Sequence, residues 1–167
     1  MLALGLFFIG TISRFVFHIP NFTPVIALAL FSGAYVNRKY AVIMPVLLMI
    51  LTDFVLGMYN SVVFTWTAIA LSAMLGMRLR GRKTFGTVVF NSILSAVLFF
   101  AISNFGVWLM SGMYAHNLSG FVRCFILAIP FFKNTFLSTV IYTAVLFAMY
   151  ETIAVRIKNT RFAYILR

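Results

Sequence analysis

The sequence has 167 residues, of which 63% are hydrophobic and 9% charged, whereas a soluble domain carries roughly a quarter charged residues. So few charges exclude a polar coat over most of the surface. Lys and Arg number 13 against two acids, Asp53 and Glu151, for a net charge of +11. The cations fall in short clusters between apolar runs, as membrane-flanking residues do, which excludes a nucleic-acid-binding reading.

Only helices or closed barrels satisfy their own backbone hydrogen bonds in lipid, and a spanning helix needs about twenty apolar residues. The apolar runs here are continuous rather than alternating, so a β-barrel is not expected. The predicted fold is an all-α integral membrane protein, one domain over residues 1–167 built as a bundle of about six transmembrane helices. The first is expected over residues 2–17. It has no cationic leader and no small-x-small cleavage site, so it reads as a helix rather than a removable signal. Pro20, Asn21, Thr23 and Pro24 end it. The second helix is expected over 22–36, with its continuous apolar stretch beginning at Val25, and part of residues 20–24 at membrane depth against protein.

The third helix is expected over 40–59, the fourth over 62–79, the fifth over 86–110 and the last over 133–155. Residues 118–129 read as a separate short interfacial or re-entrant helix, because Pro130 suits the first position of a new helix. Lys and Arg in short loops stay on the cytoplasmic side. Arg38 and Lys39, then Arg78, Arg80, Arg82 and Lys83, then Arg156, Lys158, Arg161 and Arg167 all fall in connections that a six-helix count puts on one face. Both termini are therefore expected in the cytoplasm, in a bacterial inner membrane. Arg14, Arg123 and Lys133 fall near the opposite face.

Asp53 is the most informative residue, since a carboxylate at the bilayer centre costs about 2.5–3.5 kcal/mol on insertion scales. Its cost is offset either by an ion pair with Arg14 or a helix cap, or by contact with a ligand or ion. Asn104 lies at similar height on the fifth helix. Arg14, His18, Arg123, Lys133 and Asn134 converge on the same non-cytoplasmic third. Tyr59, Asn60, Trp66, Trp108, Tyr114 and His116 around them suit either an interfacial aromatic belt or a ligand pocket. Glu151, near the cytoplasmic end of the last helix, is expected to pair with surface cations such as Arg156.

Ala29 and Gly33 on the second helix form a small-xxx-small pair that lets another helix approach closely, either within this chain or in a second membrane subunit. The stretch Gly76-Met77-Arg78-Leu79-Arg80-Gly81-Arg82-Lys83-Thr84 misses a phosphate-binding loop, because Arg82 intervenes before the lysine and a helix precedes it. A single cysteine, Cys124, excludes an internal disulfide and reads as a small buried residue. Neither histidine belongs to a zinc motif, and no catalytic nucleophile and base pair stands out. No metal, no cofactor and no enzymatic activity is expected.

Several blocks resemble a known family. Pro20-Asn21-Phe22-Thr23-Pro24-Val25, then Ala27 to Tyr35, then Pro45 and Thr52-Asp53, then Ser103-Asn104-Phe105-Gly106-Val107-Trp108, and Ile129-Pro130-Phe131-Phe132 look like a family of uncharacterised bacterial membrane proteins. That family is itself similar to substrate-binding (S) components of energy-coupling factor (ECF) transporters. Two departures from its pattern are Tyr114-Ala115 in place of Tyr-Pro and Ser138-Thr139 in place of Gly-Asp. The resemblance implies capture of a micronutrient from the outer side, with a membrane-coupling subunit and separate ATPases as partners. The residues expected to bind substrate are Arg14, Asn21, Asp53, Asn104 and Trp108, with Ala29 and Gly33 packing a partner helix. The alternative is a non-catalytic accessory or scaffold subunit of a larger membrane complex.

Overall fold

The computed structural model describes residues 1–16 and 20–166, with side chains described for 1–12 and 20–165. It contains six α-helices: α1 Leu2–Val16, α2 Val25–Tyr35, α3 Ile43–Leu56, α4 Val62–Arg78, α5 Phe85–Met110 and α6 Leu118–Ile157. Short 3-10 turns follow α4 at Leu79–Gly81 and close the chain at Ala163–Leu166. Among the described residues there is no strand.

The organising element is α2. Its sequence, VIALALFSGAY, has no polar face, and a helix that is apolar all round belongs in the centre of a protein. Every residue from Val25 to Ala34 is buried, and α2 packs against all five other helices. Its closest neighbour is α4, and two glycines make that approach feasible. A Cβ on Gly33 would lie 2.7 Å from the Cα of Gly76, and one on Gly76 would lie 2.8 Å from the carbonyl carbon of Leu30. Backbone thus meets backbone, as small residues permit between helices. Beyond the crossing, Arg80 Nε donates to the Gly33 carbonyl at 2.9 Å, and its guanidinium also reaches the Val36 carbonyl. A cation there satisfies carbonyls that the end of α2 leaves without helical partners.

The cationic connections gather at one end of the bundle. Arg80 bonds to the end of α2, Lys83 stands over the Tyr35 ring, and Tyr35 donates to Glu151 near the end of α6. α1 contacts the final 3-10 turn at this end too. Glu151 therefore takes a phenol hydroxyl rather than the expected cation such as Arg156.

Two boundaries differ from expectation for identifiable reasons. α3 stops at Leu56 because Gly57 turns to φ 115°, a conformation that releases the helix. The break expected at Pro130 does not occur: residues 118–129 and the last helix form one continuous α6 of 40 residues. The Phe100 ring of α5 contacts Phe125 at 5.6 Å and Phe132 at 4.6 Å between centroids, one on each side of Pro130. Packing across the proline offsets the backbone hydrogen bond that it cannot donate.

Three helical stretches are long and apolar enough to cross a membrane, Val62–Gly81, Phe85–Met110 and Leu118–Ile157. α1, α2 and α3 have 15, 11 and 14 residues, shorter than the roughly twenty that a span of about 30 Å needs. Large apolar side chains stand outward on the periphery, among them Phe85 at 85% exposure, Leu118 at 78% and Val55 at 76%.

Candidate functional site

At the end opposite the cations, residues of α2, α4, α5 and α6 line a cavity of about 380 Å³. The glycine crossing pins α2 to α4 near the basic end, while Val25, Ile26 and Thr65 at the other end line the cavity. The connection before α2 enters the wall through Asn21 and Thr23. Asn21 has φ 58°, the left-handed conformation that asparagine tolerates better than most residues. Asn134 Nδ2 holds this connection to α6 by donating to the Pro20 carbonyl at 3.0 Å.

Half of the lining is polar: Asn21, Thr23, Tyr59, Ser61, Thr65, Ser103, Asn104, Thr135 and Ser138. The remainder includes Phe99, Phe100, Phe131 and Phe132, which supply flat apolar faces. No cation, carboxylate or histidine lines it among the described residues. The helical hydroxyls donate to their own backbone, Ser103 Oγ to the Phe99 carbonyl at 2.6 Å and Ser138 Oγ to the Thr135 carbonyl at 3.0 Å. Thr135 Oγ1 likewise donates to the Phe131 carbonyl at 3.3 Å. Tyr59 donates to Thr65 Oγ1 at 2.9 Å, and Asn104 Nδ2 to the Phe100 carbonyl at 2.8 Å. A hydroxyl that gives away its hydrogen keeps lone pairs, and an amide keeps its carbonyl oxygen. The wall is consequently richer in acceptors than in donors.

The residues expected to bind substrate separate into three groups. Asn21 and Asn104 line the cavity. Asp53 does not; it is buried to 2% exposure between α3 and α4, where Trp66 Nε1 donates to its Oδ2 at 2.9 Å. Trp108 lies outside too, donating from Nε1 to the Ala115 carbonyl at 3.1 Å and meeting the His116 and Phe121 rings edge to face. It fastens the turn between α5 and α6. The Arg14 side chain and His18 lie outside the described residues. Ala29 and Gly33 are buried within this chain, Gly33 against Ala73 and Gly76 of α4 and Ala29 in a cluster with Met49 of α3 and Ile69 and Ala73 of α4. The sequence does not single out Thr23, Ser61, Thr65, Ser103 and Thr135 as site residues, since hydroxyls scattered along and beside apolar helices carry no distinctive pattern.

A family model matches residues 1–161. The chain belongs to DUF6580, a family of unknown function. No curated protein and no solved structure matches it. Nothing in these matches links DUF6580 to ECF S components. Membership accounts for the motif blocks along the whole chain, and the cavity with its hydroxyl and amide lining is the site that this DUF6580 chain presents. Among the described residues no group of three His, Cys, Asp or Glu side chains could hold a metal ion.

Proposed function

We propose that the protein is a membrane-embedded capture subunit that binds a small uncharged molecule in the cavity between α2, α4, α5 and α6. The observation that carries this reading is a partly aromatic cavity of about 380 Å³, rich in acceptors and with no charged group among the described residues that line it, within the size range of ligand sites, roughly 300–1,000 Å³. A matching ligand has a flat ring to lie between phenylalanines and N–H or O–H groups to donate to the wall. Nucleobase-like compounds and uncharged vitamins have that chemistry.

Lipid is the proposed solvent of the outer surface. Apolar side chains as exposed as Phe85, Phe54 and Phe90 surround the bundle, and soluble monomers rarely expose contiguous apolar patches beyond a few hundred Å². The cationic end then faces the cytoplasm and the cavity faces outward. The ECF-type arrangement fits this division, with a coupling subunit and separate ATPases driving release. The accessory-subunit alternative has less support because it gives the polar-lined cavity no role; Ala29 and Gly33, covered within this chain, dock a partner in neither reading.

The test is binding to detergent-purified protein, read by calorimetry and thermal shift against uncharged ring compounds with and without N–H donors. Donor-bearing compounds are expected to bind, and Asn104→Leu to weaken them by about tenfold, the value of one neutral hydrogen bond. If no compound stabilises the protein and Asn104→Leu leaves uptake unchanged, the reading is wrong.

A further inference from the structure

A second concavity, of about 360 Å³, lies at the basic end between α5 and α6. Val88 and Val89 of α5 and Val140, Ala144, Phe147 and Ala148 of α6 form its apolar walls. Side chains normally interdigitate along such a helix pair. Here Ala144 and Ala148, one turn apart and both exposed, are too small to fill the space. At one mouth the Tyr35 hydroxyl donates to Glu151 Oε1 at 2.5 Å, and Lys83 Nζ stands 4.5 Å from the centroid of the same ring. One phenol ring therefore holds an ammonium and a carboxylate side by side at the end of an apolar groove.

We propose that this groove seats one acyl chain of a phospholipid whose headgroup carries both a phosphate and a primary amine, the phosphate meeting Lys83 and the ammonium meeting Glu151. The inference rests on the membrane reading above, but not on the ligand of the other cavity. Charge complementarity selects the headgroup. A purely anionic head would bring its charge against Glu151, and a quaternary amine has no N–H to donate to the carboxylate. Position agrees with it: Lys83 stands just before the apolar run of α5, at the level where headgroups meet basic side chains.

Native mass spectrometry of the full chain in detergent, titrated with phosphatidylethanolamine, phosphatidylglycerol and phosphatidylcholine, tests the proposal. Phosphatidylethanolamine is expected to be retained about fivefold better than the other two, the scale of one headgroup charge contact. Lys83→Ala and Glu151→Gln are expected to erase that preference, the glutamine still accepting from Tyr35 so that the fold is kept. Ala148→Phe, a substitution at an exposed position, is expected to abolish retention by filling the groove. Equal retention of all three lipids, or retention indifferent to Ala148→Phe, would overturn it. Binding in the other cavity, measured on the same variants, is expected to be unchanged; its absence alongside intact lipid preference would sink the capture reading alone. Native protein recovered without detergent would remove the membrane reading beneath both.

Discussion

Replacing Gly33 by alanine is expected to destabilise the bundle at its tightest crossing, although alanine is the better helix former. Within a helix the exchange gains about 1 kcal/mol. Against that, the added Cβ would lie 2.7 Å from the Cα of Gly76 and nearer still to the Ala73 carbonyl oxygen, whereas carbon atoms rest at about 3.5–4.0 Å. The helices must part by about 1 Å. Neither obstacle is a side chain that can rotate away, and α2 is hemmed in by all five other helices. Overpacking costs about 1–3 kcal/mol, and contact with backbone puts this case at the upper end, for a net loss of about 2 kcal/mol. Thermal unfolding in detergent, followed by tryptophan emission, measures it. Gly5→Ala is the control, since a Cβ there meets nothing within 4 Å and is expected to leave stability unchanged or raised. Gly33→Ala as stable as Gly5→Ala would refute the crossing as a constraint.

Trp66→Phe removes the indole donor from the buried Asp53 carboxylate. A loss of about 1.5–3 kcal/mol is expected, and unchanged unfolding would show that the carboxylate is held by other groups. Thr143→Val replaces a buried hydroxyl that has no hydrogen-bond partner among the described residues by a group of the same shape. Stability is expected to rise by about 1 kcal/mol, read from the same melting curves.

Much of the architecture was legible in the residues. Continuous apolar runs located all six helices, and the clustering of Arg38, Lys39 and residues 78–83 anticipated one basic end. α2 was harder, because its 11 residues are too few to span lipid. What its sequence does carry is the absence of any polar face, and burial on all sides is the physical consequence. Pro130 misled because its local effect is real but small beside the ring contacts that Phe100 makes on either side of it. In the cavity, amides were conspicuous beside apolar side chains, Asn21 in the break before α2 and Asn104 within α5, and both were singled out. Hydroxyls such as Thr65 and Ser103 were not, since serine and threonine in such helices can bond to their own backbone and carry no distinctive pattern. Asp53 drew notice by its charge, but nothing in the sequence marked Trp66, thirteen residues on, as a donor to it.

If lipid surrounds the bundle, as proposed, the length of α6 sets a water line. Between Lys133 and Glu151 the helix carries no charge, and those 17 intervening residues rise about 26 Å, close to the thickness of hydrocarbon. The turns before Lys133, with Arg123 exposed on them, would then stand proud of the lipid like a mast above a deck. Phe131, Phe132 and Thr135, which line the cavity, lie within two residues of Lys133. A solute arriving from the aqueous phase would meet its binding groups at the threshold, without first dissolving in oil.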